Sequence, residues 1–93
     1  MNEEWRPIPK SKGQYEMSTL GRVRNVQTGR ILKQFRFSNG SYGVQLAGYL
    51  HRTYTVGQLV AMTFYPGEEG RACHKNGDIK DNRVTNIEVR SYE

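Results

Sequence analysis

Short runs of alternating apolar and polar residues, broken at close intervals by glycine, proline and asparagine, make up most of this chain, and one stretch alone keeps a helical period. Residues 5–15 read as an extended lead-in, because Pro7 and Pro9 disfavour helix, and Trp5 is large enough to anchor the terminus on the core. Residues 15–17 and 21–26 read as strands joined by a turn at Ser18-Thr19-Leu20-Gly21, with Val23 and Val26 facing inward. Thr28-Gly29 marks a turn, and 30–37 is expected to continue as a strand with Ile31, Phe35 and Phe37 mostly on one side. Ser38-Asn39-Gly40 signals a hairpin. Residues 42–46 and 50–56 then form an antiparallel pair around Ala47-Gly48-Tyr49. Val56, Leu59 and Val60, with Met62 or Phe64, give the helical stripe, which predicts a helix over 57–64 ended by Pro66-Gly67. Two further strands, 71–74 and 87–90, flank a tight polar loop built by Asn76-Gly77-Asp78 and Asp81-Asn82. The fold class is therefore α+β: small antiparallel strands and hairpins with one helix.

Ninety-three residues make one small domain with a thin core, and a hydrophobic content of 35% with ten glycines suits strands and turns. The apolar runs are too short to span a bilayer, so no membrane partner is expected, and the acidic Met1-Asn2-Glu3-Glu4 start is unlike a secretory leader. A single cysteine excludes an internal disulfide and fits a reducing cytoplasm.

The net charge of +5 implies an acidic partner, and its distribution sharpens this. Arg22, Arg24, Arg30, Lys33 and Arg36 lie within fifteen residues that hold no acid. Residues two apart on a strand share a face, so Arg22 and Arg24 form a same-side pair suited to phosphate. His51 beside Arg52 is expected in an exposed basic turn. Asp78 and Asp81 are expected to bond their own loop backbone. Zinc is disfavoured at Cys73 and His74, because neighbours on a strand point to opposite faces and no second Cys/His pair exists. The tyrosines are dispersed, with Tyr42 and Tyr54 placed to pack across a strand pair, and form no platform for single-stranded nucleic acid.

Several stretches carry a resemblance. Cys73-His74-Lys75-Asn76-Gly77-Asp78, with Asp81-Asn82-Arg83 and Asn86-Ile87, resembles the catalytic hairpin of HNH homing endonucleases of the phage and intron type. Glu4-Trp5-Arg6-Pro7-Ile8, then Gly13, Tyr15-Glu16, Ser18 and Leu20-Gly21-Arg22-Val23-Arg24, resembles the module preceding their nuclease domain. Tyr42-Gly43-Val44-Gln45-Leu46, Thr53-Tyr54-Thr55-Val56 and Leu59-Val60-Ala61, with Phe64 and Pro66, continue the likeness. The resemblance implies a truncated HNH (ββα-metal) fold in one domain, 1–93, with a basic strand module at 1–37 and an HNH-like part at 38–93 that lacks the final helix. It implies His74 as general base and Asn86 as the residue pinning the loop between the two strands. Three departures bear on chemistry. Cys73 stands where the family keeps an oxygen or nitrogen ligand, Gly57-Gln58 stands where it keeps His-Arg, and its second ligand would lie on a helix beyond Glu93. A thiol suits hard Mg²⁺ poorly, so no metal ligand is assigned and no cofactor is expected unless the chain is active, when it would be Mg²⁺.

The leading expectation is a phage or mobile-element protein of the host bacterial cytoplasm that binds double-stranded DNA, or a DNA-processing complex, without efficient cleavage. One alternative is a weak Mg²⁺-dependent nicking endonuclease. The other is an anti-defence inhibitor or regulator that occupies a host nucleoprotein by protein contact. The sequence does not set the oligomeric state.

Overall fold

The computed structural model describes residues 3–48 and 52–91, so the expected turn residue Tyr49 and exposed His51 lie outside the described residues. The alternating N-terminal segments pair as an antiparallel sheet in the order β1-β2-β3, from Trp5–Pro7 (β1), Tyr15–Ser18 (β2) and Val23–Asn25 (β3). The lead-in is thus partly a strand. Trp5 opposes Ser18 and Pro7 opposes Glu16, which places the proline on an edge where its missing N–H costs no ladder bond. On β2, Tyr15 and Met17 are buried and Glu16 is turned outward, as the period of two requires.

A second sheet runs in the order β4-β5-β6, from Phe35–Arg36 (β4), Tyr42–Leu46 (β5) and Arg52–Thr55 (β6). The expected strand over 30–37 is much shorter than its alternation suggests. Ile31 makes an isolated bridge to Arg24, the Leu32 N–H donates to Val23, and the Gln34 side chain donates to the Gly21 carbonyl. Only Phe35–Arg36 joins β5. The segment hands the chain from one sheet to the other, so its backbone bonds are split between them. Val26, expected inside, is 46% exposed, and Phe35 is 40% exposed against the edge of the Phe37 ring.

The helix, α1 (Val56–Phe64), starts directly from β6 and is capped by Thr55, whose hydroxyl accepts from the Gln58 N–H at 3.2 Å. Its buried face is Val56, Leu59, Val60 and Thr63, so the stripe continues to Thr63 rather than to Met62 or Phe64. It packs against both sheets and against a C-terminal hairpin of Arg71–His74 (β7) and Ile87–Arg90 (β8). Ile8, Met17, Val23, Val44, Leu46, Leu59 and Ile87, one or more from each layer, meet there as a single core.

Thr63 provides a direct test of that core. Its hydroxyl is buried and has no hydrogen-bond partner among the described residues. Such a group carries a desolvation penalty that an apolar side chain of the same shape would not, so Thr63→Val is expected to stabilise the protein by about 1 kcal/mol in urea denaturation. An unchanged or lowered midpoint would show that the hydroxyl is satisfied.

Candidate functional site

The β7–β8 hairpin sets His74 opposite Ile87 and Cys73 opposite Glu88. Strand alternation then turns Ala72 and His74 toward α1, while Arg71 and Cys73 share the other face with Glu88 and Arg90. Arg90 donates to Glu88 on that outer face, and the Cys73 thiol lies 3.8 Å from the Arg71 carbonyl. Cys73 therefore faces away from His74.

The loop between the strands is held by its own polar residues. The Asn76 carboxamide oxygen accepts from the Asp78 N–H at 2.8 Å, and the Asp78 carboxylate accepts from the Lys80 N–H at 3.0 Å. Gly77 takes a φ of +78°, which lets its N–H return to the His74 carbonyl. Asn86 closes the loop from the far strand. Its Nδ2 donates to Asn76 Oδ1 at 3.0 Å and to the Asp81 carbonyl at 2.9 Å, and its Oδ1 accepts from the Asn76 N–H at 3.2 Å. Asp81 pairs with Arg83, whose guanidinium holds the carboxyl well below its usual range, at about 2.

The His74 imidazole meets Asn82, with Nε2 2.8 Å from Oδ1. The pair opens on a cleft of about 240 Å³ lined also by Tyr42, Gln58 and Ile79. A larger depression, about 340 Å³, lies against Met62, Tyr65 and Val89 and does not include His74. Nothing in the spacing of positions 74 and 82 reveals the contact, and the N-terminal sheet packs against the segment that makes it. The β2–β3 turn at residues 18–22 is wound around the buried Ser18 hydroxyl, which accepts from the Leu20 and Arg22 N–H groups. From that turn, the Thr19 carbonyl accepts from the Val84 N–H at 2.8 Å, and Gly21 lies directly against Asn82.

The five basic residues separate into two groups. Arg22 is ion-paired with Glu3 and Arg24 with Glu16, and both guanidinium groups lie over the Trp5 ring, that of Arg24 at 4.1 Å. The Arg22 hydrogen bonds hold the Glu3 carboxyl down at about 2, so that pair stays charged at neutral pH. Arg30, Lys33 and Arg36 are exposed and form no ion pair among the described residues. Arg36 lies beside Gly40, whose turn also touches Ile79 at the mouth of the His74 cleft. Sequence spacing alone places Arg22 and Arg24 with the other three; the acids that pair with them come from other segments.

Among the described residues no group of three or more His, Cys, Asp or Glu could hold a metal ion. The donors fit Mg²⁺ poorly: the oxygen beside His74, Asn82 Oδ1, is uncharged and already bonded to Nε2, and the Cys73 thiol lies on the opposite face. No helix of the described residues is long and apolar enough to cross a membrane.

Residues 3–47 match the NUMOD4 motif. The chain is 34% identical over 87 residues to DNA endonuclease I-HmuI of Bacillus phage SP01, covering 90% of this chain and 50% of that protein. It is 33% identical over 82 residues to the uncharacterized HNH endonuclease L245 of Acanthamoeba polyphaga mimivirus, covering 85% of this chain and 24% of that one. A solved structure recording DNA binding and cleavage by the HNH homing endonuclease I-HmuI superimposes with a TM-score of 0.83 at 32% identity, covering 95% of this chain and 52% of that one. The chain spans about half the length of I-HmuI and about a quarter of the mimivirus protein.

Proposed function

Since this chain is a homologue of the HNH homing endonucleases and shares the I-HmuI fold, we propose that it binds double-stranded DNA and holds the general-base half of a nuclease centre without an efficient metal half. The observation that carries this reading is the arrangement of the hairpin: His74 is turned into the cleft against Asn82, and Cys73 is turned away from it. His74 would take a proton from water at its free ring nitrogen, and Asn86 would keep the loop in shape around it. Strand module 1–37 supplies the DNA contact and residues 38–93 carry the hairpin. Phosphate contact comes first from Arg30, Lys33 and Arg36, because Arg22 and Arg24 must give up Glu3 and Glu16 before they can add to it. The phage relative supports an origin in a phage or mobile element and action in the host bacterial cytoplasm.

The second reading is a Mg²⁺-dependent nicking enzyme whose remaining ligands come from outside the described residues. The partnered His74 ring favours it. HNH endonucleases depend on a metal, which would stabilise the leaving oxygen while His74 acts on water.

One set of measurements separates these readings. Duplex-DNA affinity is expected to fall with salt, and replacing Arg30, Lys33 and Arg36 together by Ala should flatten the log–log slope by about 2 to 3 units, near 0.9 for each phosphate contact. Arg22→Ala with Arg24→Ala should change the slope by under about one unit while lowering stability. With Mg²⁺ the unaltered chain is expected to leave supercoiled plasmid intact; nicking abolished by His74→Ala would make the second reading the correct one. Binding indifferent to salt and to all five cations would overturn the DNA reading in favour of a protein contact with a host nucleoprotein.

A further inference from the structure

The His74–Asn82 contact carries more than a place in a loop. A neutral imidazole has one protonated and one free nitrogen, and the hydrogen bond on one decides which is free. Asn82 Oδ1 lies 2.8 Å from Nε2, and it also stands at the first turn of α1, where a Cβ on Gly57 would be 3.5 Å from it. The first turn of a helix presents N–H groups with positive partial charge, which favours the carboxamide oxygen there over its amino group. An oxygen facing Nε2 requires Nε2 to be the donor. We infer that Asn82 is a positioning residue that holds His74 in the Nε2–H form and leaves Nδ1 as the basic nitrogen, and that the β2–β3 turn of the N-terminal sheet holds Asn82 there.

The second half of the inference follows from packing. Asn82 is 7% exposed, and the β2–β3 turn packs against its backbone and Cβ. A Cβ on Gly21 would stand 2.8 Å from the Asn82 carbonyl oxygen and 2.9 Å from its Cβ, so the two backbones already touch. The Val84 N–H to Thr19 carbonyl bond, at 2.8 Å, fixes the chain two residues further on. On the other side the Asp81 carbonyl is held by Asn86. The N-terminal sheet therefore supports the orientation of the proposed base directly. The inference rests on the nuclease reading only for the use made of Nδ1.

The test is ¹⁵N NMR of the full chain at a pH where the imidazole is neutral, with His74→Gln to assign the signals. The unaltered protein is expected to show a single tautomer, with a slowly exchanging ring proton on Nε2 and none on Nδ1. Asn82→Asp keeps an oxygen acceptor and should preserve that signature. Asn82→Leu, of similar size without an acceptor, should give mixed tautomers and lose the ring proton to exchange. A ring proton on Nδ1 in the unaltered protein, averaged tautomers there, or a Leu variant with unchanged signals would overturn the inference. If the Leu variant fails to fold, the unaltered protein and the Asp variant still decide. The sample contains no DNA or metal, so failure of the salt titration would remove the proposed function and leave this result standing.

Discussion

Gly21→Ala is expected to destabilise the protein by about 2 to 5 kcal/mol. Gly21 has a φ of +85°, in the left-handed region that costs an L-residue roughly 1–2 kcal/mol. The added methyl would also overlap the Asn82 backbone, at 2.8 Å from its carbonyl oxygen, and relieving such overpacking costs about 1–3 kcal/mol. Gly29→Ala separates the two contributions: its φ is +73°, but a Cβ there meets nothing within 4 Å, so only the conformational cost of about 1 kcal/mol applies. In a chain this size, the Gly21 variant should lose roughly 10 °C or more in Tm relative to the parent. Equal losses in the two variants would show that the β2–β3 turn does not bear on Asn82. Because the turn shifts with Asn82, the His74 ring-proton signal should weaken in Gly21→Ala and persist in Gly29→Ala.

Asn86→Ala is expected to cost about as much by a different route. The substitution removes all three hydrogen bonds made by the buried Asn86 side chain, taking from the Asn76 N–H and the Asp81 carbonyl their part-buried partner. Each net bond contributes about 1 kcal/mol, so a loss of about 2 to 4 kcal/mol follows. Asn86→Asp should do no better. It keeps the acceptor for the Asn76 N–H but turns a carboxylate toward Asn76 Oδ1 and the Asp81 carbonyl, both of which are acceptors. Hydrogen exchange gives the sharper readout, because protection should fall at the loop amides of Asn76, Asp78 and Lys80 before it falls in β5 or α1. A midpoint shift below about 0.5 kcal/mol would mean that the loop's own Asx bonds hold it without Asn86.

Where local pattern and tertiary demand coincide, the sequence was legible. The stripe of Val56, Leu59 and Val60 ended by Pro66-Gly67 has one good solution, and the structure begins the helix at Val56, one residue before the expected start. The strands Tyr42–Leu46, Arg71–His74 and Ile87–Arg90 alternate cleanly and are bounded by turn residues, so period and punctuation agree. Legibility failed where one segment serves two sheets. Residues 30–37 alternate as a strand should, yet their backbone bonds go to Val23 and then β5, and the Gln34 side chain to Gly21, which no local pattern encodes. Ile31 and Phe35 consequently remain largely exposed.

For the candidate site the division follows the range of each interaction. His74, the Asn-rich loop and Asn86 lie within thirteen residues of one another, close enough for residue type and spacing to specify a hairpin whose polar side chains bond its own backbone. The covalent order along β7 likewise puts Cys73 and His74 on opposite faces. Tertiary structure alone decided the rest. It brought Glu3 and Glu16 to Arg22 and Arg24 over Trp5, so that a basic run became partly a neutralised cluster. It also pressed Gly21 and Thr19 against the segment carrying Asn82, the partner of His74 within the loop. The physical reason is that a side chain's charge state and ring orientation depend on neighbours a few ångströms away. Packing of separate sheets supplies those neighbours, and their distance in sequence leaves no period to read.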